Sequence, residues 1–208
     1  MTKWQKLMAM ANMLIRDVHP GDMILIGGPA RVGKSTLATA LKYALLDKNY
    51  TTKVLRLDNW LKSESERADQ GVMNRYRLSD AEAFILQGLQ KPGVYRMPFY
   101  DRYYRETIPA AVDIEFAADD VLVIEGVVAL MSVPLVNRAS KRIYLSCPET
   151  VRWQNFQQEY YARGLATDDI KTLYQSRLID ENPVVETVKP LADAVISELY
   201  LGAADAIN

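Results

Sequence analysis

One cysteine, Cys147, and one histidine, His19, are all that these 208 residues hold of the two commonest soft metal ligands. A lone cysteine excludes an internal disulfide, and without a Cys/His cluster at ligand spacing no zinc-type site is expected. Such thiol usage fits a reducing cytoplasm. Charge of one sign is equally scarce: 25 Lys and Arg stand against 26 Asp and Glu, a net of −1. No global basic field therefore draws nucleic acid or an anionic membrane surface. Apolar residues recur at helical spacing over positions 2–18, but Lys3, Lys6, Arg16 and Asp17 interrupt them. That pattern excludes a signal peptide and a membrane span and leaves an amphipathic helix. There is no internal repeat and no low-complexity segment. The remaining composition, 49% hydrophobic and 25% charged, suits one compact α/β domain over residues 1–208. Within it the N-terminal helix takes residues 1–18, and a helical lid region takes residues 149–182.

The most informative stretch that is present runs from Met23 to Ala38: an apolar segment, then Gly28-Pro29-Ala30-Arg31-Val32-Gly33-Lys34-Ser35-Thr36, then a helix start. Gly28 and Gly33 stand where a backbone must turn tightly and aim its N–H groups at phosphate oxygens. Lys34 can reach the terminal phosphates, Ser35 can hold magnesium, Thr36 can bond the α-phosphate, and the helix adds the positive end of its dipole. ATP and Mg2+ are the expected ligands of this loop.

Around it the chain reads as alternating strands and helices. Strands are expected at 23–27, 53–58, 121–126, 142–146 and 192–196, and helices at 34–48, 79–89, from 149 to about 163, and 168–180, with Asn182-Pro183 as a break. Residues 63–77 are polar and poorly periodic, a flexible connection by this reading. Residues 94–97 and 107–116 read as short extended pieces flanking an aromatic and arginine-rich segment, Tyr100-Asp101-Arg102-Tyr103-Tyr104-Arg105. The fold class is therefore α/β, a three-layer α/β/α P-loop NTPase with a mostly parallel five-stranded sheet and a small helical lid.

Phosphoryl transfer asks for a bound triphosphate, magnesium, a positioned hydroxyl and positive charge around the moving group. Glu125, ending a continuous apolar strand, is the second candidate for magnesium beside Ser35. Asp58, at the end of the neighbouring strand, is the candidate base. Lys34 and Arg163, the latter before Gly164 at a helix end, are the candidate cations on the phosphates. Tyr100, Asp101, Arg102 and Arg105 are expected to line an acceptor pocket. His19 and Cys147 read as structural.

In this order and spacing the motifs resemble the uridine kinase and phosphoribulokinase family of P-loop kinases, over residues 22–196. Asp58-Asn59-Trp60 is similar to the family's segment carrying the catalytic Asp, and Pro98-Phe99-Tyr100-Asp101 to its base-pocket segment. Val123-Ile124-Glu125-Gly126 resembles its Phe-Glu-Gly, and Gln175 falls where a substrate-contacting Gln would. The resemblance implies ATP- and magnesium-dependent phosphorylation of a hydroxyl on a small molecule. Many relatives are assembled from several copies, so a homo-oligomer is among the expected forms. The departures fall on the substrate side. Arg77 stands in place of the family's ribose-binding Asp, Arg105 lies near its pyrimidine-contacting His, and Leu165 replaces the second Arg of the lid motif. Arg77, Arg102 and Arg105 suit an anionic acceptor such as a sugar phosphate or carboxylate, and both a nucleoside-like and an anionic acceptor stay open. The alternative class is a nucleotide-binding regulatory P-loop NTPase that hydrolyses ATP slowly.

Overall fold

The computed structural model describes residues 2–67 and 71–197. Its centre is set by two segments whose side chains are buried on both faces, β1 (Met23–Gly27) and β5 (Val121–Glu125). A strand buried on both faces must lie inside a parallel sheet covered by helices. Here the sheet has five parallel strands in the order β2 (Thr52–Arg56), β5, β1, β6 (Lys141–Leu145), β7 (Ala194–Ile196).

Because successive side chains alternate across a strand, each strand feeds two cores. Ile24, Ile26, Val121, Val123 and Ile143 pack with Leu7, Ala11 and Leu14 of α1 (Lys3–Leu14) and with Leu37, Leu41 and Leu45 of α2 (Lys34–Asp47). Met23, Leu25, Leu122, Ile124 and Tyr144 pack on the other face. Their partners include Ala81 and Ile85 of α3 (Leu78–Gln90) and Leu135 and Val136 of α4 (Val133–Arg138). The architecture is the expected three-layer α/β/α. Thr2 opens α1 with a capping box to Gln5. Among the described residues no helix is long and apolar enough to cross a membrane.

Several expectations are corrected. The stretch read as a flexible connection, residues 63–77, is built in its described parts from two short turns of 3-10 helix, Glu64–Glu66 and Met73–Arg75. Ser63 caps the first with Glu66, and Val72 and Tyr76 are buried. The weak periodicity reflects tight turns, whose side chains follow neither a strand nor an α-helix period. The two short extended pieces are one long hairpin, β3 (Gly93–Asp101) with β4 (Glu106–Phe116), and its register shifts between Met97 and Phe99. Pro98 sits in that shift; having no N–H to give the ladder, it is tolerated at a bulge. Asn182-Pro183 starts a further helix, α7 (Asn182–Thr187), with proline in its first turn where a missing N–H costs nothing.

A third small core, Phe156, Ile170 and Tyr174, joins α5 (Glu149–Tyr161) to α6 (Thr167–Asp180). The edge strand β7 is tied to β6 by Asp193. Its carboxylate accepts from the Arg142 backbone N–H at 2.8 Å, from Nε at 3.1 Å and from Nη2 at 2.6 Å. These bonds hold the Asp193 carboxyl below its ordinary value of 3.8. A depressed carboxyl contributes stability above the unfolded value and loses it as pH falls through the folded one. Asp193→Asn should thus flatten the fall in unfolding free energy below about pH 4, and should cost under about 1 kcal/mol at neutral pH because the pair is a third exposed. Urea titrations across pH check both.

Candidate active site

The parallel register brings the carboxyl ends of β1, β2 and β5 to one edge: Ile26 lies opposite Glu125, and Glu125 opposite Arg56. From that edge the loop after β1 curls back into α2. Gly28 has φ +130°, and a Cβ there would sit 2.0 Å from the carbonyl oxygen of Leu145. Gly33, at φ +101°, is the N-cap residue of α2, and Arg31 between them takes φ +68°, rare for a residue with a side chain. The loop wraps the buried Lys34, whose Nζ donates to the carbonyls of Gly28 at 2.9 Å and Pro29 at 2.7 Å. Burial pulls the Lys34 ammonium below its ordinary pKa, against the opposing pull of Glu125, Glu181 and Asp58. Val32 is buried in the core beneath the loop, and Thr36 lies half-buried in the first turn of α2.

Ser35 Oγ donates to Glu125 Oε1 at 2.7 Å, and Arg56 Nε stands 3.7 Å from the same oxygen. Burial first, and the charge of Asp58 second, push the Glu125 carboxyl up. A hydroxyl and a carboxylate side by side form an all-oxygen donor set, which suits a hard cation such as Mg2+ that takes few protein ligands. Among the described residues no group of three or more His, Cys, Asp or Glu could hold a metal by itself. The pair therefore fits a magnesium ion shared with phosphate oxygens rather than a dedicated cage.

Asp58 lies just past β2, in a 3-10 turn (Leu57–Trp60), not on the strand itself. Gly126 fixes this approach, since a Cβ there would press 2.8 Å from the Leu57 Cβ. Both oxygens of Asp58 are engaged: Tyr76 donates to Oδ1 at 3.1 Å and Arg102 Nη2 to Oδ2 at 2.9 Å. Tyr76 is buried, and burial together with the Asp58 charge holds its phenol firmly protonated, as a donor. Arg102 comes from the hairpin turn. Behind it the buried Tyr100 accepts from Arg67 Nη2 at 2.6 Å.

The remaining expected residues lie apart from this cluster. Arg77 pairs with Glu66, and Arg105 with Glu64 at 2.6 Å. Asp101 Oδ1 accepts from the N–H groups of Tyr103 and Tyr104 and so shapes the hairpin turn. Gln175 is exposed in a groove between α5 and α6, beside Trp153 and Tyr174. Arg163 pairs with Glu159, whose other oxygen meets Arg31 at 3.1 Å.

Four contacting residues escaped the reading of the chain: Tyr76, Arg152, Arg177 and Glu181. Arg152, nearly fully buried, donates from Nε to the Ala30 carbonyl at 2.9 Å, from Nη1 to Asn182 at 2.6 Å and from Nη2 to Glu181 at 3.2 Å. Glu181 accepts in turn from the Ala30 N–H at 2.7 Å across 151 residues of sequence. No local spacing signals such a contact. A buried Tyr beside an Asp, or a buried Arg–Glu pair, becomes visible only when the topology folds them together.

A family model described as an AAA domain matches residues 24–172. The chain is 25% identical over 185 residues to a uridine kinase from Clostridium novyi (strain NT), a match that covers 84% of this chain and 87% of that one. Among solved structures it resembles a possible uridine kinase from Bacillus stearothermophilus, with TM-score 0.64 and 18% identity, covering 93% of this chain and 98% of the other. A D-glycerate 3-kinase from Cryptococcus neoformans var. grubii superposes with TM-score 0.54 at 11% identity, covering 84% and 83%. These last two likenesses are of fold.

Proposed function

The chain belongs to this AAA-domain family of P-loop proteins, and from that premise we propose that it is an ATP- and magnesium-dependent kinase acting on a hydroxyl of a small, anionic metabolite. One observation carries the reading: Lys34 and Ser35, Glu125 and Asp58, from three separate stretches of sequence, converge on one sheet edge with donor and acceptor roles matched to phosphoryl transfer. The loop backbone of residues 28–36 cradles the triphosphate, and Lys34 neutralises its terminal oxygens. Ser35 and Glu125 hold Mg2+, which supplies charge neutralisation on the phosphates. Asp58 takes the proton of the acceptor hydroxyl as that oxygen bonds to the γ-phosphorus and the bond to the leaving diphosphate breaks. Tyr76 and Arg102 orient the carboxylate for this step. Arg163 is held by Glu159, whose other oxygen pairs with Arg31 of the loop, and would have to leave that pairing to meet the phosphates.

The acceptor side favours an anion over a neutral nucleoside. Arg102 lies against Asp58, and Arg67 lies over the Tyr100 ring, 5.2 Å from its centroid. A neutral diol offers those guanidiniums only uncharged acceptors, whereas a phosphate or carboxylate meets them with stronger, charge-assisted bonds. The test is thermal stabilisation by MgATP, followed by a panel of nucleosides, sugar phosphates and hydroxy acids, with phosphate transfer assayed on each hit. An anionic compound that adds to the MgATP shift and is phosphorylated is the expected result. Transfer to a nucleoside alone would sink the acceptor assignment, and stabilisation by MgATP with slow hydrolysis and no acceptor would point to a regulatory NTPase. In the same assay Ser35→Ala should raise the magnesium concentration for half-maximal rate by about tenfold, since one of two protein ligands is lost.

A further inference from the structure

The Glu181 carboxylate is surrounded as a phosphate would be. Its Oε1 accepts from a backbone N–H of the phosphate loop, Ala30 at 2.7 Å, and from Arg152 Nη2 at 3.2 Å; its Oε2 lies 3.4 Å from Arg177 Nη1. The carboxylate is 1% exposed, Arg152 is 3% exposed, and the charge of Glu181 is felt by Lys34. Arg177 is partly buried, 22% exposed, and feels the charges of Glu181, Arg67, Asp58 and Arg31. A loop N–H, two guanidiniums and a nearby ammonium form an anion-recognising set. The anion they hold is a side chain at the junction of α6 and α7.

We propose that Glu181 is an internal stand-in for the terminal phosphoryl group: it must leave this seat when a triphosphate enters, and its departure hands Arg152 and Arg177 to the γ-phosphate. This rests on the triphosphate reading given above. Two consequences follow from charge. A carboxylate and a phosphate cannot share one seat, so the chain binds triphosphate only in the fraction of molecules whose Glu181 has withdrawn, and the apparent affinity is lowered by that fraction. A diphosphate, which does not reach the seat, leaves Glu181 in place. The α6–α7 junction thus reports which nucleotide is bound, and Arg177 becomes a catalytic residue only in the triphosphate complex.

The experiment is calorimetric titration of MgADP and of magnesium with a non-hydrolysable ATP analogue into wild type, Glu181→Gln and Arg177→Gln. Glu181→Gln keeps the shape and removes the competing charge, and should tighten the triphosphate by about tenfold while leaving the diphosphate within about twofold. Arg177→Gln should weaken the triphosphate only. If Glu181→Gln weakens both nucleotides together, or changes neither, Glu181 is a strut and the proposal falls while the kinase reading stands. If wild type binds no triphosphate, the kinase reading itself falls. Should Glu181→Gln fail to fold, wild type still decides through the scalar coupling across the Ala30 N–H to Glu181 carboxylate hydrogen bond. That coupling should persist with MgADP and vanish with the triphosphate analogue; its persistence with both overturns the proposal.

Discussion

Asp58→Asn leaves binding of MgATP within about twofold of wild type and lowers turnover of the acceptor by about a thousandfold, the scale of a lost general base. The geometry makes the change selective. Asn has the shape of Asp, its carbonyl oxygen still accepts from Tyr76, and the loop that holds Lys34 makes no hydrogen bond to position 58. What is lost is the carboxylate that can take a proton, together with its pairing to Arg102. Single-turnover transfer, measured beside calorimetric binding of the nucleotide, separates the two effects. Equal losses in binding and turnover would make Asp58 part of the nucleotide cradle instead, and an unchanged turnover would remove it from the chemistry. Tyr76→Phe should reproduce a fraction of the effect, since the phenol orients one carboxylate oxygen and does no chemistry.

The second large effect is expected at Gly28. Alanine there must hold φ near +130° and place its Cβ 2.0 Å from a backbone carbonyl at the end of β6. A carbonyl in the middle of a parallel sheet cannot swing aside as a side chain tip would, so the loop itself must move. We expect Gly28→Ala to cost about 3 kcal/mol or more of stability and to abolish the stabilisation by MgATP. Gly164→Ala is the matched control, with φ +81° and nothing within 4 Å of the added Cβ. It should cost about 1 kcal/mol from backbone strain alone and leave nucleotide binding intact. Urea denaturation of both variants, with and without MgATP, distinguishes a cradle that has shifted from one that is merely less stable. Similar losses in the two would mean that strain, rather than the closeness of Leu145, sets the requirement for glycine.

Where side chains are dictated by neighbours in sequence, the chain could be read directly. Met23–Gly27 is a strand residue for residue and Val121–Glu125 stops one residue short of the expected bound, because burial on both faces leaves a continuous apolar run that no other element explains. Lys34 and Ser35 were legible from the loop pattern that precedes α2, and Glu125 and Asp58 because the strand ends of a parallel sheet share one edge, so each needed only its local segment to be recognised. Tyr76, Arg152, Arg177 and Glu181 were not. Each acquires its meaning from a partner on another element, and a polar residue in a helix or turn carries no mark of which distant group it will meet. The hairpin was half legible for a related reason: Pro98 broke the alternation that would have joined its pieces, and the contact of Arg102 with Asp58 was invisible because it joins two distant segments. Arg77 and Arg105 show the limit of charge alone, since Glu66 and Glu64, carboxylates from the segment after β2, pair with them.

The small core of Phe156, Ile170 and Tyr174 forms a cluster distinct from those on the two faces of the sheet. Heritable change at these three apolar positions therefore acts first on the packing of α5 against α6 rather than on the sheet. Substitutions in the sheet cores alter how much protein survives in a cell, because they shift global stability. Substitutions in this third core should shift the local opening equilibrium of a helical pair that carries Arg152 and Arg177 and is joined by the turn that holds Arg163. Substitution there is expected to change rate and nucleotide binding before it changes how much protein survives.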